Sequence, residues 1–147
     1  FCRIDRSDIR TTRPEKFAFV LEGKKLLLAE DNELNREIAI ELLEMHGLFV
    51  ETAENGLIAV NKFKASAPGE YAGILMDIQM PVMDGYEAAK TIRSLEREDA
   101  HVIPILALTA NAFASDIGKA NSAGMNDHIA KPIDIGVFME TLQRWIG

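Results

Sequence analysis

The chain has 147 residues, with 48% hydrophobic and 27% charged side chains, which are the proportions of one globular domain with a real core. Sixteen Lys/Arg against 23 Asp/Glu give a net charge of −7, which argues against a general nucleic-acid binder. No apolar run approaches the ~20 residues that span a bilayer, and the lone cysteine, Cys2, excludes an internal disulfide and fits a reducing compartment.

Residues 1–22 carry no sustained period and a net charge of +1 (five Lys/Arg, four Asp/Glu), leaving −8 on the other 125 (11 and 19). They read as a linker from a preceding domain, the chain beginning at Phe1 and not at Met, with residues 23–147 as the folded domain. The apolar patch Phe17-Ala18-Phe19-Val20-Leu21 is a sticky end that docks on the domain or on a neighbour. Leu26 to Ala29 is a buried-strand run. Leu34, Ile38, Leu42 and Met45 then recur at helical spacing, with Asn32 as N-cap and Gly47 as stop. Phe49–Ala53 reads as a strand, and Leu57, Val60 and Phe63 mark a helix ended by Pro68-Gly69. Ile74-Leu75-Met76 is a third strand, followed by a helix over Tyr86, Ala89, Ile92 and Leu95. Val102–Leu108 reads as a fourth strand. Phe113, Ile117 and Ala120 outline a fourth helix weakened by Gly118. Asp127–Ala130 is a fifth strand, and Ile135, Phe138, Met139, Leu142 and Trp145 are the apolar face of a last helix.

Strict strand–helix alternation predicts an α/β fold, a five-stranded parallel sheet with helices on both faces. Ligands in such folds sit beyond the carboxyl ends of the strands, where strand order reverses. Glu30, Asp31, Asp77, Thr109 and Lys131 each follow a predicted strand, so they are expected to converge on one edge. Three carboxylates gathered there repel one another and invite a hard divalent cation; Mg2+ needs only two carboxylates and a carbonyl, the rest being water. Asp77 closes an apolar run, and Pro81 and Gly85 then force the chain to turn. It reads as a ligand or as a nucleophile, since carboxylates form aspartyl-phosphates. Lys131 is the natural counter-charge, and Pro132 makes a cis peptide affordable that would aim it inward. Thr109 offers a hydroxyl to a phosphoryl oxygen, and the small Ala110 leaves the approach to Asp77 open.

Four segments in this order, Leu-Ala-Glu-Asp-Asn (28–32), Met-Asp-Ile-Gln-Met-Pro-Val-Met-Asp-Gly (76–85), Leu-Thr-Ala (108–110) and Lys-Pro (131–132), resemble receiver domains of two-component signalling. The resemblance covers Lys24 to Ile146. It implies a flavodoxin-like (βα)5 fold with strand order 2-1-3-4-5. It implies that Asp77 accepts a phosphoryl group from a phosphohistidine of a kinase or phosphotransfer domain. It also implies that Glu30, Asp31, Asp77 and the backbone carbonyl of Gln79 bind Mg2+, and that Thr109 and Lys131 contact the phosphoryl group. The domain then catalyses only its own phosphorylation and dephosphorylation, and its output surface is the fourth helix, fifth strand and fifth helix. His128 stands where the family usually has Tyr or Phe as the residue that turns inward with Thr109, and is expected to act as a pH-sensitive switch or to be a partly exposed strand histidine. His46 and His101 show no ligand pattern.

Glu30 to Asn35 also resembles receivers of hybrid sensor histidine kinases, which makes the parent a kinase and places the domain in the cytoplasm, alone or as the cytoplasmic part of a membrane-bound sensor. A stand-alone or effector-linked regulator is the alternative. The domain is expected to be a monomer or weak dimer, with no nucleic-acid or membrane contact of its own. Among other classes, an aspartate-nucleophile phosphatase needs a second Asp where Gln79 stands. A flavin carrier needs a phosphate-cradling loop that Glu30 and Asp31 would repel. A degenerate, partner-binding receiver fits poorly with intact Asp77, Thr109 and Lys131.

Overall fold

A computed structural model describes residues 23–109, 114–131 and 134–146. The expectations for residues 1–22, Ala110 and Pro132 lie outside the described residues. The strands are β1 (Lys25–Ala29), β2 (Phe49–Ala53), β3 (Gly73–Asp77), β4 (Ile105–Thr109) and β5 (Asp127–Ala130), all parallel in the order β2-β1-β3-β4-β5. The helices are α1 (Glu33–Met45), α2 (Gly56–Ala65), α3 (Gly85–Arg93), α4 (Ala114–Ser122) and α5 (Ile135–Ile146). The expected architecture and strand order are present.

Parallel strands buried on both faces should be apolar throughout rather than alternating. β3 and β4 are buried at every position, and β1 at all but its first. Leu27, Ile74, Met76, Ile105 and Ala107 face α2 and α3 around Phe63 and Ile92. Leu26, Leu28, Leu75, Leu106 and Ile129 face α1 and α5 around Leu43, Phe138 and Leu142. The sheet therefore has one core on each side, and both fix the height at which the strands end. Asn32, Asn55 and Asp84 cap α1, α2 and α3, each side chain accepting the N–H three residues on.

One reading of the elements is corrected. Residues Glu98–Val102 form a short helix, and β4 begins only at Ile105. The apolar character of Val102 and Ile103 suggested a strand, but Pro104 intervenes, and its carbonyl accepts the Ile74 N–H at 2.9 Å. In α1 the buried residues are Ala39 and Leu43, while Leu34, Ile38 and Met45 are 65%, 45% and 72% exposed. The helix and its Asn32 cap are as expected, and these three apolar residues point outward.

The β3–α3 loop is held by two close approaches. A Cβ on Gly85 would lie 2.3 Å from the Asp77 carbonyl oxygen, and one on Gly56 would lie 2.4 Å from the Met83 carbonyl oxygen. The Gly56 N–H donates to that Met83 oxygen at 3.0 Å, and the Gly85 N–H to the Ile78 oxygen at 2.8 Å. Between these clamps Val82 sits at φ 70°, a left-handed conformation that a β-branched residue adopts only under constraint. Because the obstructing atoms are backbone, Gly85→Ala is expected to lower stability by about 1–3 kcal/mol by shifting the segment that starts at Asp77. Denaturant unfolding that leaves this variant equal to the parent would contradict the clamp.

Candidate functional site

The end of β1 delivers Glu30, the end of β3 Asp77, the end of β4 Thr109, and the residue after β5 Lys131. Sheet register fixes their convergence: Ala29 pairs with Met76, Asp77 with Leu108, and Thr109 with Ala130. The Lys131 N–H donates to the Thr109 carbonyl at 2.8 Å, tying the last two strand ends together. β1 and β3 flank the place where strand order reverses. A polar pocket of about 470 Å3 opens there, lined by Glu30, Asp31, Asp77, Gln79, Thr109 and Lys131 among others.

Glu30 and Asp77 are buried, at 2% and 6% exposure, whereas Asp31 is open to solvent. Lys131 bridges the buried pair, its Nζ lying 3.0 Å from Glu30 Oε1 and 3.2 Å from Asp77 Oδ2. Glu30 is further fixed by its other oxygen, which accepts the Asn32 N–H at 3.1 Å, and by its carbonyl, which accepts from Arg36 at 2.8 Å.

Burial, and next the charge and hydrogen bond of Glu30, push the Asp77 carboxyl from 3.8 up to about 7, while Lys131 pulls it back. Burial also works against the Lys131 ammonium, but Glu30 and Asp77 prevail and hold its proton above lysine's ordinary range. The site is thus short of positive charge: one ammonium serves two buried acids with a third beside them. Carboxylate oxygens of Glu30, Asp31 and Asp77 lie within 4.8 Å of one another. Hard oxygen donors at this spacing, one of them solvent-facing, suit a divalent cation that keeps several waters.

All the strand-end residues named from the sequence therefore meet at one pocket, as does Gln79. His128 does not line it; the imidazole sits on β5 beside Ala107 in register, its Nδ1 3.6 Å from Asp127 Oδ1. The sequence reading missed Asn35, Asp84, Tyr86 and Lys119, which also line the pocket. An Asp just before a helix is a cap signal that could have found Asp84, since a cap at the mouth of a strand-end loop faces the site. Nothing in the spacing of Lys119, on the far side of residues 110–113, marks it. Among the described residues no helix is long and apolar enough to cross a membrane.

Residues 26–143 match the response regulator receiver domain family, and the chain belongs to it. Among curated proteins it is 38% identical over 131 residues to the peroxide stress-activated histidine kinase mak1 of Schizosaccharomyces pombe. It is 44% identical over 120 residues to hybrid signal transduction histidine kinase B of Dictyostelium discoideum. These matches cover 88% and 75% of this chain but only 8% and 6% of those proteins, so the chain spans a small part of their length. Among solved structures, the receiver domain of a sensor histidine kinase from Pseudomonas aeruginosa, with a magnesium ion in its active-site cleft, superposes with a TM-score of 0.77. It is 40% identical and covers 85% of this chain and 98% of that one. The receiver domain of the Saccharomyces cerevisiae response regulator Ssk1, solved with the histidine phosphotransfer protein Ypd1, gives 0.78 at 34% identity, covering 86% and 91%.

Proposed function

We propose that Asp77 is the phosphoacceptor of a phosphorelay, taking a phosphoryl group from a phosphohistidine on a kinase or phosphotransfer domain. The observation that carries this reading is the buried Asp77 carboxylate at the floor of an open polar pocket, with Lys131 3.2 Å away and acidic oxygens on its other side. An Asp77 oxygen attacks phosphorus in line with the imidazole nitrogen; the P–O bond forms as the P–N bond breaks, and the electron pair leaves with the ring. Such a transfer needs positioning and charge neutralisation more than acid–base work. Lys131 and the Thr109 hydroxyl receive the phosphoryl oxygens. Mg2+, held by Glu30, Asp31, Asp77 and the Gln79 carbonyl, would neutralise the remaining oxygens and the excess of acid when bound. The group adds roughly −1.5 to −2 charge at Asp77. Thr109 and Lys131 then shift, and α4, β5 and α5, with His128 on β5, carry the change to partners.

Similarity to hybrid kinases supports a parent of that kind, with residues 1–22 connecting 23–147 to a preceding domain and the domain on the cytoplasmic side. Similarity to the Ssk1 receiver keeps a downstream regulator as the second reading. In either case, incubation with a small phosphodonor and Mg2+ is expected to add one phosphoryl group to the intact mass. A chelator should abolish the gain, and no gain under any donor would overturn the proposal.

The donor must reach the pocket mouth, and Leu34 and Ile38 form an exposed apolar strip on α1 beside it. Uncharged side chains one turn apart on an open helix face suit a partner helix. Leu34→Ser with Ile38→Ser is expected to slow transfer from a phosphohistidine protein roughly tenfold, the effect of losing about 1.4 kcal/mol. The rate from a small phosphodonor should stay unchanged. Equal slowing of both would mean damage to the site and not a docking surface.

A further inference from the structure

The charge of the pocket is sorted along the sheet. Its acids, Glu30, Asp31, Asp77 and Asp84, lie at or after the ends of β1 and β3, whereas its two cations, Lys119 and Lys131, come after β4 and β5. With strand order β2-β1-β3-β4-β5, the carboxylates enter from the middle of the sheet and the ammoniums from one side of it. The two lysines are not equivalent. Lys131 is committed to Glu30 and Asp77, at 3.0 and 3.2 Å. Lys119, on α4, is exposed, and among the described residues no carboxylate pairs with it. It stands at the pocket's rim: with Tyr86 it also lines an open groove of about 600 Å3 between α3 and α4, whose other cation is Lys90.

We propose that Lys119 is a specificity-determining residue of phosphoryl transfer, its uncommitted ammonium drawing small anionic phosphodonors to the β4–β5 side of the pocket and favouring those of higher negative charge. The proposal rests on Asp77 being the phosphoacceptor. A phosphodonor is an anion, and the pocket it must enter holds more acid than base. An ammonium that already bridges two carboxylates presents little net field to a third anion. An exposed, unpaired ammonium at the rim acts in full within a Debye length, about 10 Å at 0.1 M salt, and charge lining a cleft raises the local concentration of its counter-ion. The same charge repels a divalent cation on its way to the acids. One side chain therefore acts with opposite sign on two ligands, helping an anionic donor and hindering Mg2+, whereas damage to the fold would weaken both. Lys90 lines the groove but not the pocket, so its charge counts for less.

The test follows the mass gain of the full 147-residue chain in low salt with saturating Mg2+. With acetyl phosphate, a dianion, Lys119→Gln is expected to lower the second-order rate constant about three- to fivefold, Lys119→Glu to lower it further, and Lys119→Arg to keep it. Phosphoramidate, whose ammonium end leaves it a smaller net charge, should lose less than about twofold in Lys119→Gln. The loss with acetyl phosphate should vanish in about 1 M KCl, where the Debye length falls to about 3 Å. Calorimetric titration of the unphosphorylated protein should find Mg2+ bound about twofold more tightly by Lys119→Gln than by the parent. Lys90→Gln should change the acetyl phosphate rate much less. Equal rates for Lys119→Gln and the parent, equal losses with the two donors, a loss that salt does not remove, weaker Mg2+ binding, or a matching loss in Lys90→Gln would each overturn the role of Lys119 while the parent's own mass gain leaves Asp77 as the acceptor. A parent that gains no mass from either donor would overturn both.

Discussion

Asp77→Asn is expected to abolish phosphoryl acceptance while making the metal-free domain more stable. The amide cannot attack phosphorus, so the intact mass should stay constant with phosphodonor and Mg2+. The stability gain follows from linkage. The Asp77 carboxyl is raised from 3.8 to about 7, mainly by burial and next by Glu30, so the folded state holds its proton more tightly than the unfolded chain does. The wild-type domain in chelator therefore has its full stability below about pH 4, loses it progressively between pH 4 and 7, and carries the penalty of a buried anion above that. Asparagine fills nearly the same volume without the charge. Each pH unit of displacement corresponds to about 1.4 kcal/mol, and the amide gives up the ion pair with Lys131, so a gain of about 1–3 kcal/mol at pH 8 is expected, or roughly 3–8 °C in midpoint. The difference should shrink toward pH 4 and also with added Mg2+, which stabilises the parent more than the variant. A variant less stable than the parent at pH 8 in chelator would mean that Lys131 already compensates Asp77 fully; a variant that still gains mass would remove Asp77 from its role.

The convergence of this site was legible because the parallel fold leaves little freedom. Once five apolar runs alternate with helical periods, the residue after each run stands at one edge of the sheet, and the runs ending at Ala29, Met76 and Ala130 are nearly the strands observed. Which residues share the pocket from the helices was not legible. Arg36 reaches back to the Glu30 carbonyl from α1, and Lys119 reaches the pocket from α4, and neither reach follows from spacing along the chain. The side of α1 that meets the sheet was not legible for a different reason. Leu34, Ile38 and Met45 have the period of a core stripe, but Ala39 and Leu43 are what the sheet accepts, because a small residue lets the helix approach closely. Periodicity reports that a helix has an apolar face; it does not report whether the cover is the protein's own sheet or something else. Val102 failed as a strand residue because a short apolar run has no period at all, and only Pro104 hinted that the strand starts later.

Removing the ammonium should have the opposite sign to neutralising the aspartate. In Lys131→Met the stem remains, but Glu30 and Asp77 face each other without the charge that now sits 3.0 and 3.2 Å from them. Breaking a buried pair from one side leaves an uncompensated charge, and with Lys131 itself about one-fifth exposed the cost is expected near the lower end, about 1–3 kcal/mol at pH 8. One of the two acids can escape by holding a proton, so the Asp77 carboxyl should rise further. An acid raised on folding loses stability as pH rises. The gap between Lys131→Met and the parent should therefore be small at pH 5 and open by pH 8, which thermal unfolding in chelator at the two values can measure. The functional deficit should persist when excess Mg2+ restores stability, because a cation on the acidic side cannot take the place of an ammonium set between Glu30 and Asp77 at the end of β5. Phosphorylation by a small donor is expected to slow by about tenfold or more, the effect of losing one charged contact in the transition state. Amide exchange in α4 and β5, expected to change when the parent is phosphorylated, should change little in the phosphorylated variant. A variant that is phosphorylated at the parent's rate, with the same exchange response, would show that Lys131 only balances charge and takes no part in reading the phosphoryl group.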